Sequence, residues 1–556
     1  MTGDSIIKMR DQLKTLRTPL EGHWDELSEQ FMPFRLTRGS TLPDIFGAEK
    51  IFDSTARRAA LILANGLASL VTPREETWFE FQAPKALRGE DEAVRFYREA
   101  SEVAREYLES SNFYEEIQEA YISSPVFGTA ALYCGDLDDR GELHYRHQPI
   151  QTYYIAEDFK GRVNCFYRDL KMTAEQAAQE FGKDKLPEEL RGKVDDPQSK
   201  TEQHDFVHGV FRRTGEIPAD APESERKPWV SMVAHEKSKA IVASGGYDEF
   251  PFAVHRYRRF GHCVWGFGPG TIAIGDARQL QFLNELADVA AEKSVFPPLI
   301  APSSLEGEIG QGALEITYVD PTDPNSAAIL REWATSGRYD VAKDRMGDKR
   351  DQLESAFHVD LFQLFSVRSK ERAPLTATEA NMIGGEKLTQ FSPVFGRLVS
   401  EMLDPILSRL FGTLLRAGVF GAPPAAVLKA MGGKNAGVAA PSVLYKNRIM
   451  LAMQERQNGS FMNFMSMAMP ILELFPEAVD ALNLPVAVRD AARNTGMPEG
   501  WIRPKKEVEA MQAARAEAQQ AQQQLAAAEQ AANVAATAGK VPADMREQMG
   551  RAIQSS

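Results

Sequence analysis

Residues 53–81 read DSTARRAALILANGLASLVTPREETWFEF, and this stretch decides how the first part of the chain is expected to fold. From Ala56 to Val71, small and apolar residues recur at spacings of three and four, which predicts a helix. Most of its circumference is apolar, so the helix is expected to be buried on most sides. Only a narrow stripe stays polar, formed by Arg57, Asn65, Ser69 and Thr72.

The two ends of this helix are also marked in the sequence. Asp53 or Ser54 can accept hydrogen bonds from the first backbone amides of the helix. Pro73 is expected to end it, and Trp78 and Phe79 are expected to lead into a strand. The apolar run is shorter than the roughly 18 to 20 residues that a membrane-spanning helix needs, so a packing helix in a soluble protein is predicted.

The composition is that of an ordinary soluble protein. The 556 residues are 43% hydrophobic and 26% charged, and a chain of this length is expected to form about two to four folding units. The formal net charge is −14 at pH 7, which argues against a protein that holds nucleic acid by broad neutralisation of phosphates. An acidic chain can still let DNA pass through without holding it.

The cysteines and the N-terminus indicate a reducing compartment. Three widely separated cysteines, Cys134, Cys165 and Cys263, suggest neither a disulfide framework nor a structural zinc site. The first residues carry scattered charges and have no apolar core, so no signal peptide is predicted.

The sequence offers no constellation of catalytic residues. It lacks GK[ST], HExxH and GxSxG motifs. Gly266, Gly268 and Gly270 resemble a nucleotide-binding loop only loosely, because Thr271 stands where the third glycine would be. A structural turn that leads into a helix is the favoured interpretation. We expect no enzymatic activity and no cofactor.

Three places have residues of the types that bind metals. His144 and His147, or His204, Asp205 and His208, have spacings that metal ligands can have, but no cysteine or further carboxylate cluster supports them. Ordinary surface or core histidines are favoured. The turn with Asp136, Asp138 and Asp139 lacks the length and the closing glutamate of a calcium loop, so a solvated hairpin turn is favoured.

The pattern of the first half predicts an α+β fold. Helices are expected over about 4–32 and 91–122, the second as one charged amphipathic helix. Between residues 128 and 260, short alternating runs predict strands of an antiparallel sheet, with one short helix at TAEQAAQEFG, residues 173–182.

The second half is predicted to be mostly helical. The turn GFGPG (266–270) leads into a long helix from about Pro269 to Ser294, and a second charged helix is expected over about 338–357. Pro393 and Pro405 lie within a helical pattern and predict that this helix is kinked. The alanine- and glutamine-rich residues 505–538 have high helix propensity but little bulky apolar content. They are expected to be either a frayed tail or a helix stabilised by copies of itself.

Four segments, taken in order, resemble the head-to-tail connector, or portal, proteins of short-tailed, T7-like bacteriophages. The first two are DSTARRAALILANGLASLVTP with the Trp-Phe pair that follows it, and the GFGPG turn with the long helix that ends in FPP. The others are PLTATEANMIGGEKLTQFSPVFGRLVSEMLDPILSRLF (374–411) and the stretch LFPEAVDALNLPVAVRDAARNTGMPEGWIRPKKEVEAMQAARAEAQQ (474–520). Together they extend over about residues 10–530.

The resemblance implies a predominantly helical α+β subunit with wing, stem, clip, crown and a C-terminal barrel helix. The implied regions are the wing (1–265), first stem helix (266–298), clip (299–335), second stem helix (336–365), tunnel loop (366–376), long kinked wing helix (377–420), crown (421–502), C-terminal barrel helix (503–540) and flexible tail (541–556).

The resemblance also implies a structural, non-enzymatic function. The subunits would form a ring, usually of twelve, at one capsid vertex in the virion, after assembly in the host cytoplasm. Double-stranded DNA would be packaged and ejected through the channel of this ring. The implied partners are the terminase large subunit, a tail adaptor protein, and the major capsid and scaffolding proteins.

Two other functions were considered. A membrane-interacting or pore-forming structural protein would use residues 59–71 as an amphipathic insert. A hydrolase with an unrecognised site would depend on His204 or His208. The connector resemblance is favoured over both.

Basic residues are concentrated in two places, and they are the candidates for contact with DNA in the channel. They are Lys343, Arg345, Lys349 and Arg350 on the second charged helix, and Arg368, Lys370 and Arg372 in the turn SVRSKERAPL (366–375). A solvated charged face is the alternative interpretation.

We predict that alanine at Arg368, Lys370 and Arg372 together leaves ring assembly intact but impairs DNA packaging or retention. The physical reason is the loss of transient phosphate contacts in an otherwise acidic channel. A packaging assay with the triple variant measures this. Normal packaging by that variant would remove these residues from the proposed role.

Overall fold

The structure of the protein is a computed structural model. It describes residues 2–32, 51–196, 199, 201–214, 226–295, 299–300, 331–332, 339–362, 393–431, 441–446 and 505–538. The chain divides into two compact units, Met1–Met453 and Gln454–Ser556. Most of the predicted clip, the predicted tunnel loop and most of the predicted crown lie outside the described residues.

The first unit contains helices and strands in the predicted mixture. Its described α-helices are α1 (Gly3–Phe31), α2 (Thr55–Val71), α3 (Asp91–Ser110), α4 (Phe113–Phe127), α5 (Ala174–Phe181), α6 (Glu188–Val194), α7 (Pro269–Val295), α8 (Tyr339–Ala356), α9 (Val359–Phe362), α10 (Asp404–Arg416) and α11 (Ala425–Met431). Its described strands are β1 (Phe79–Gln82), β2 (Thr129–Leu137), β3 (Leu143–Gln148), β4 (Tyr153–Glu157), β5 (Val163–Thr173), β6 (Gln203–Arg212), β7 (Trp229–His235), β8 (Ile241–Tyr247), β9 (Phe252–Arg256), β10 (Leu299–Ile300), β11 (Arg331–Glu332) and β12 (Ser442–Tyr445).

The strands form antiparallel sheets, as the alternating pattern predicts. The larger sheet has the order β4-β5-β6-β7-β8, so its strands follow one another in sequence. A three-stranded sheet has the order β3-β2-β9, and two strand pairs, β1-β12 and β10-β11, complete the described ladders. The α+β fold class is confirmed.

Helices cover both faces of the five-stranded sheet. On one face, Ile6 and Ile7 of α1 pack against Tyr154, Tyr167 and Val207 of the sheet. On the other face, residues of α5 and α6 pack around Phe206, which belongs to the opposite side of β6 because side chains alternate along a strand. The main core lies among α2, α3, α4, the smaller sheet and α10.

The helix predicted from the opening stretch is confirmed as α2. Leu63 and Leu67 are buried, and the helix ends at Val71, two residues before Pro73. Trp78 is fully buried and directly precedes β1. The predicted polar stripe was partly wrong, because Thr72 is buried and its hydroxyl lies 3.2 Å from that of Tyr121.

The single helix predicted over 91–122 was wrong, because the structure has two helices there. α3 ends at Ser110 and α4 begins at Phe113. The side-chain amide of Asn112 donates to the carbonyl of Tyr145 at 2.8 Å and accepts from its backbone amide at 2.9 Å. Asn112 therefore acts as an extra partner for β3. The apolar periodicity continues across the break, so it carries no signal of this contact.

The described part of the second unit is one long helix, α12 (Lys505–Ala538). Its 34 residues span roughly 51 Å at 1.5 Å per residue. Nearly all of its described side chains are exposed. Residues 505–538, which have high helix propensity, are therefore helical, whereas a barrel built from several such helices stays a prediction.

We expect Leu63→Ala to lower the free energy of unfolding by about 2–5 kcal/mol, because Leu63 is completely buried and truncation leaves a cavity in the main core. Leu61→Ala on the same helix is the matched control, since Leu61 is 41% exposed. Urea unfolding followed by circular dichroism measures both. Equal effects of the two substitutions would contradict the burial of α2.

Candidate functional site: the paired helices α7 and α8

Helices α7 and α8 pack against each other, and α8 carries four of the candidate channel residues, Lys343, Arg345, Lys349 and Arg350. Lys349 of α8 donates to the carboxylate of Asp276 on α7 at 2.7 Å and to the side chain of Gln352 at 3.0 Å. Arg278 of α7 forms an ion pair with Glu26 of α1. Charged side chains therefore join the helix pair both internally and to the body of the first unit.

The GFGPG turn brings α7 against the end of α4. A Cβ atom at Gly266 would collide with the carbonyl oxygen of Gly128, and one at Gly268 would collide with that of Pro125. Gly128 itself has φ +79°, a conformation that favours glycine. These glycines allow close backbone packing, which agrees with the structural turn favoured from the sequence.

Helices α7 and α8 both contact the start of α2 at or next to Asp53. Its carboxylate accepts from the backbone amide of Thr55 at 2.8 Å and from the Arg350 guanidinium at 2.8 Å. The side chain of Gln281 on α7 accepts from the amides of Phe52 and Asp53 at 2.8 and 2.9 Å, and donates to the Asp53 carbonyl at 2.7 Å. One short segment thus fixes α2, α7 and α8 together.

The protonation of Asp53 follows from these contacts. Burial alone would raise the pKa of Asp53, but the hydrogen bonds from Thr55 and the charge of Arg350 outweigh it, so the pKa lies below its ordinary value. The carboxylate is therefore charged at neutral pH. The sequence offered Asp53 or Ser54 as the cap of α2 but did not show Asp53 as the partner of α7 and α8, because those contacts come from residues more than two hundred positions away.

The predicted channel residues on α8 fall into two groups. Lys343 and Arg345 are exposed. Lys349 and Arg350 are occupied by the ion pairs with Asp276 and Asp53, so any contact with DNA would compete with those pairs.

The three remaining candidates, Arg368, Lys370 and Arg372, are not among the described residues. Their position relative to α8 stays a prediction.

The two prolines predicted to kink a helix lie in one helical run. Residues 393–398 are helical, and the chain continues through a π-helical turn (Val399–Leu403) into α10. Pro405 is in the first turn of α10, where its missing N–H removes the hydrogen bond that an α-helix would make to the carbonyl of Glu401. Wide π turns often mark such irregularities. Pro393 is exposed at the start of the described run.

An exposed apolar stripe on α7 was missed by the sequence reasoning. Phe282 is 57% exposed and Leu286 is 47% exposed. A contiguous exposed apolar face of this kind is typical of a surface that another protein or subunit covers. Four residues at helical spacing share this face of α7: Ile272, Phe282, Leu286 and Val289. The sequence did contain a signal for this stripe. Apolar residues lie on more than one side of α7, whereas a helix that packs through a single face needs them on that face alone.

Two of the histidines with the spacing of metal ligands, His208 and His147, have other partners. His208 is buried between Arg168 and Ser231, with nitrogen distances of 2.9 and 3.0 Å, and burial lowers its pKa well below the ordinary value. His147 lies 3.0 Å from the hydroxyl of Ser123. Among the described residues, no group of three or more His, Cys, Asp or Glu side chains is arranged to hold a metal ion.

The face of α2 considered as a membrane insert is packed inside the first unit. Among the helices in the described ranges, none has both the length and the apolar character to cross a bilayer.

Comparisons with known proteins give one consistent family. The profile of the family described as bacteriophage head to tail connecting protein matches residues 4–502. The portal protein of Salmonella phage epsilon15 is 27% identical over 544 residues, which are 96% of this chain and 95% of that protein. The probable portal protein of Bordetella phage BPP-1 is 28% identical over 542 residues, which are 95% and 94% of the two chains.

Solved structures with a likeness to this chain come from gene transfer agent particles. A chain in the virion of a native particle aligns with a TM-score of 0.32 and 10% identity, covering 77% of this chain and 91% of its own length. A chain in the neck of an empty particle aligns with a TM-score of 0.31 and 9% identity, covering 76% and 90%.

We expect Asp53→Ala to lower the free energy of unfolding by about 1–2 kcal/mol, because it removes the acceptor for the Thr55 amide at the start of α2 and the partner of Arg350. Asp53→Asn keeps the acceptor for Thr55 and is expected to lose less. Because the folded-state pKa is lowered, the carboxylate stabilises the fold above about pH 3.9, and this contribution is lost as the pH falls through the folded pKa.

Urea unfolding at pH 7 and at pH 3 measures the Asp53 effect. The difference between wild type and Asp53→Ala should narrow at the lower pH. Asp288→Ala, an exposed change on α7, is the control. A difference that widens on acidification would contradict the assigned ion pair.

Proposed function

The chain belongs to the bacteriophage head-to-tail connecting proteins, and from this membership we infer that it is a structural portal subunit at the capsid vertex. The observation that carries the inference is the family match over residues 4–502, together with similarity to two portal proteins over at least 94% of both chains. Such a subunit forms a ring-shaped channel through which a genome enters and leaves the head.

Self-association is supported by the exposed stripe on α7. Phe282 and Leu286 are too large and too exposed to be stable in water along one helix face, and in a ring they would lie against the neighbouring subunit. A ring with cyclic symmetry needs such a surface on every copy, and it must meet a different surface of the next copy. We propose twelve subunits, as the resemblance implies.

The charges of the chain suit a channel that does not hold its cargo. With a net charge of −14, the chain offers few cations to phosphates, and each fixed phosphate contact would add affinity and slow the passage of DNA. The exposed pair Lys343 and Arg345 would make the transient contacts on α8. Arg368, Lys370 and Arg372 would contribute further contacts from the predicted tunnel loop.

The regions predicted from the sequence fit this function. In the proposed division, α1 to α6 and the two main sheets belong to the wing, α7 and α8 are the stem helices, and α10 ends the long kinked wing helix. The clip, tunnel loop, crown and barrel have the boundaries given above.

The partners follow from the position of a portal in the virion. They would be the terminase large subunit, a tail adaptor, and the major capsid and scaffolding proteins, with double-stranded DNA in the channel. Assembly would take place in the host cytoplasm. The function needs no catalytic residues and no cofactor.

We expect the purified wild-type protein to form rings with a central hole in negative-stain images, with a matching mass by mass photometry. Replacing Phe282 and Leu286 with Glu should shift the population towards smaller species, because it would bury charges between subunits. The matched control, Phe282→Leu with Leu286→Met, keeps the stripe apolar and should assemble. A strictly monomeric wild type would count against the portal function, whereas normal rings of the glutamate variant would remove only the stripe from the interface.

A further inference from the structure

A polar cleft of about 1120 Å³ lies between α1, the end of β3, β5 and α5. Its lining includes three arginines with buried or partly buried side chains, Arg10, Arg17 and Arg168. It lies on the first unit and uses none of the residues assigned above to the channel or to the α7 stripe.

Two of these arginines are neutralised within the chain. Arg10 forms ion pairs with Asp169 and Glu236, both at 2.6 Å. Arg17 forms an ion pair with Glu21 at 2.9 Å and also donates to backbone carbonyls, including that of Tyr153 at 2.8 Å. Buried guanidinium groups elsewhere in the first unit are also paired with carboxylates. This is the expected condition for a buried charge.

Arg168 differs, because its contacts in the described part of the chain are all neutral. Its Nε donates to Nδ1 of His208 at 2.9 Å, and one terminal nitrogen donates to the side-chain oxygen of Gln148 at 3.2 Å. The guanidinium carbon lies 5.0 Å from the ring centre of Tyr133 and 5.4 Å from that of Phe252. His208 is neutral, since burial and the charge of Arg168 lower its pKa.

The guanidinium group therefore has unused capacity. It carries five N–H groups, and two of them have acceptors among the described residues. The aromatic rings and His208 hold it in place, and no described carboxylate lies within ion-pair distance of it, although the charge of Glu180 acts on it from farther away. A planar fork of this kind binds the oxygens of a phosphate or carboxylate in two parallel hydrogen bonds.

Charged side chains at the rim of the cleft add to the positive charge of Arg168. Lys14, Arg146 and Lys171 are exposed and make no ion pair with any carboxylate in the described ranges. Two lining carboxylates, Glu180 and Asp205, are likewise outside the described ion pairs. Over the whole lining, six arginine and lysine side chains stand against five carboxylates, so the lining carries a net charge of +1 in a chain whose net charge is −14.

The rest of the lining suits a ligand with several hydrogen-bonding groups. Five glutamines face the cleft, and a primary amide can both donate and accept hydrogen bonds. They are Gln148, Gln151, Gln176, Gln179 and Gln203. The volume of about 1120 Å³ is slightly above the usual range of ligand sites, roughly 300–1000 Å³, and exceeds what a single carboxylate would fill.

We propose that this cleft binds a phosphate-bearing ligand of nucleotide size, with Arg168 holding the phosphate oxygens. The side chains of Gln151, Gln179 and Gln203 face the sugar and base, whereas those of Gln148 and Gln176 already bond within the chain. The phosphate comes either from a free nucleotide or from the end or backbone of a nucleic acid. The site is separate from the channel contacts on α8, and it does not depend on ring formation.

Isothermal titration calorimetry of the full-length protein tests the proposal with four probes: inorganic phosphate, a nucleoside triphosphate, a short DNA duplex and citrate. Saturable binding of the nucleotide, weakened by excess phosphate, identifies a free nucleotide as the source. Binding of the duplex alone identifies nucleic acid. Binding of citrate alone, or of none of the probes at millimolar concentration, overturns the proposal.

Variants of the cleft are expected to change the affinity for the ligand in opposite directions, depending on the charge that is removed. Arg168→Gln should weaken binding by about tenfold or more, since a charge-assisted fork is lost. Arg146→Gln with Lys171→Gln changes exposed side chains only, so it should weaken binding without affecting the fold. Glu180→Gln should strengthen binding, because it removes a nearby negative charge.

Lys160→Gln, which changes an exposed lysine outside the cleft, is the control and should leave affinity unchanged. Circular dichroism shows whether Arg168→Gln remains folded. If it does not, the affinity of the Arg146→Gln, Lys171→Gln double variant tests the proposal instead. Affinity that is insensitive to the double variant and to Glu180→Gln would place the ligand elsewhere.

Discussion

The buried guanidinium of Arg256 joins three parts of the first unit that are far apart in sequence. Arg256 ends β9 and is 2% exposed. It donates to Glu157 at the end of β4, to the carbonyl of Gly161 in the turn before β5, and to Glu401 in the π-helical turn, each at 2.7 Å. The smaller sheet, the larger sheet and the helical run into α10 therefore meet at one side chain. Removing one partner of such a buried pair leaves an uncompensated charge, at a cost of about 3–5 kcal/mol.

This contact also explains why the helix before α10 is irregular where it is. Glu401 lies in the wide turn, and its carboxylate accepts from both the guanidinium and the backbone amide of Arg256. The proline at 405 cannot donate to the carbonyl of Glu401, so a regular α-helical turn would lack a hydrogen bond at that point. The wide turn and the proline thus occur together at the place where the helix presents a carboxylate to the sheets. Arg409, one turn into α10, continues the attachment by donating to the carbonyl of Cys134 at 2.9 Å and to Asp136 at 2.8 Å.

The sequence predicted most of the elements, apart from the break between α3 and α4, but it did not predict the contacts that join them. The periodicity of α2 and the alternation in β2 to β9 are local properties, so those helices and strands could be predicted from a few neighbouring residues. The partners of Asp53, Asn112 and Arg256 are set by packing between segments that are distant in sequence. An arginine at an inward position of a strand such as FAVHR breaks the alternation, but it does not reveal which carboxylate will neutralise it. The same limit applied to the candidate channel residues, because the basic run on α8 does not distinguish the exposed Lys343 from the paired Lys349.

That division of the cations is itself informative about a channel for DNA. The arginines and lysines that hold the first unit together, such as Arg256, Arg409 and Lys349, are paired with carboxylates and so contribute little field at a distance. Because these cations are paired inside the fold, a chain can contain many of them at the contacts between its helices and sheets and still keep the negative net charge that a polyanion meets. DNA that passes such a surface would meet mostly like charge, and Lys343 and Arg345 are the proposed points of brief contact. Because affinity grows with each neutralised phosphate, confining most cations to internal ion pairs keeps the duplex mobile, and the fold and the transport of DNA thus place the same requirement on the distribution of charge.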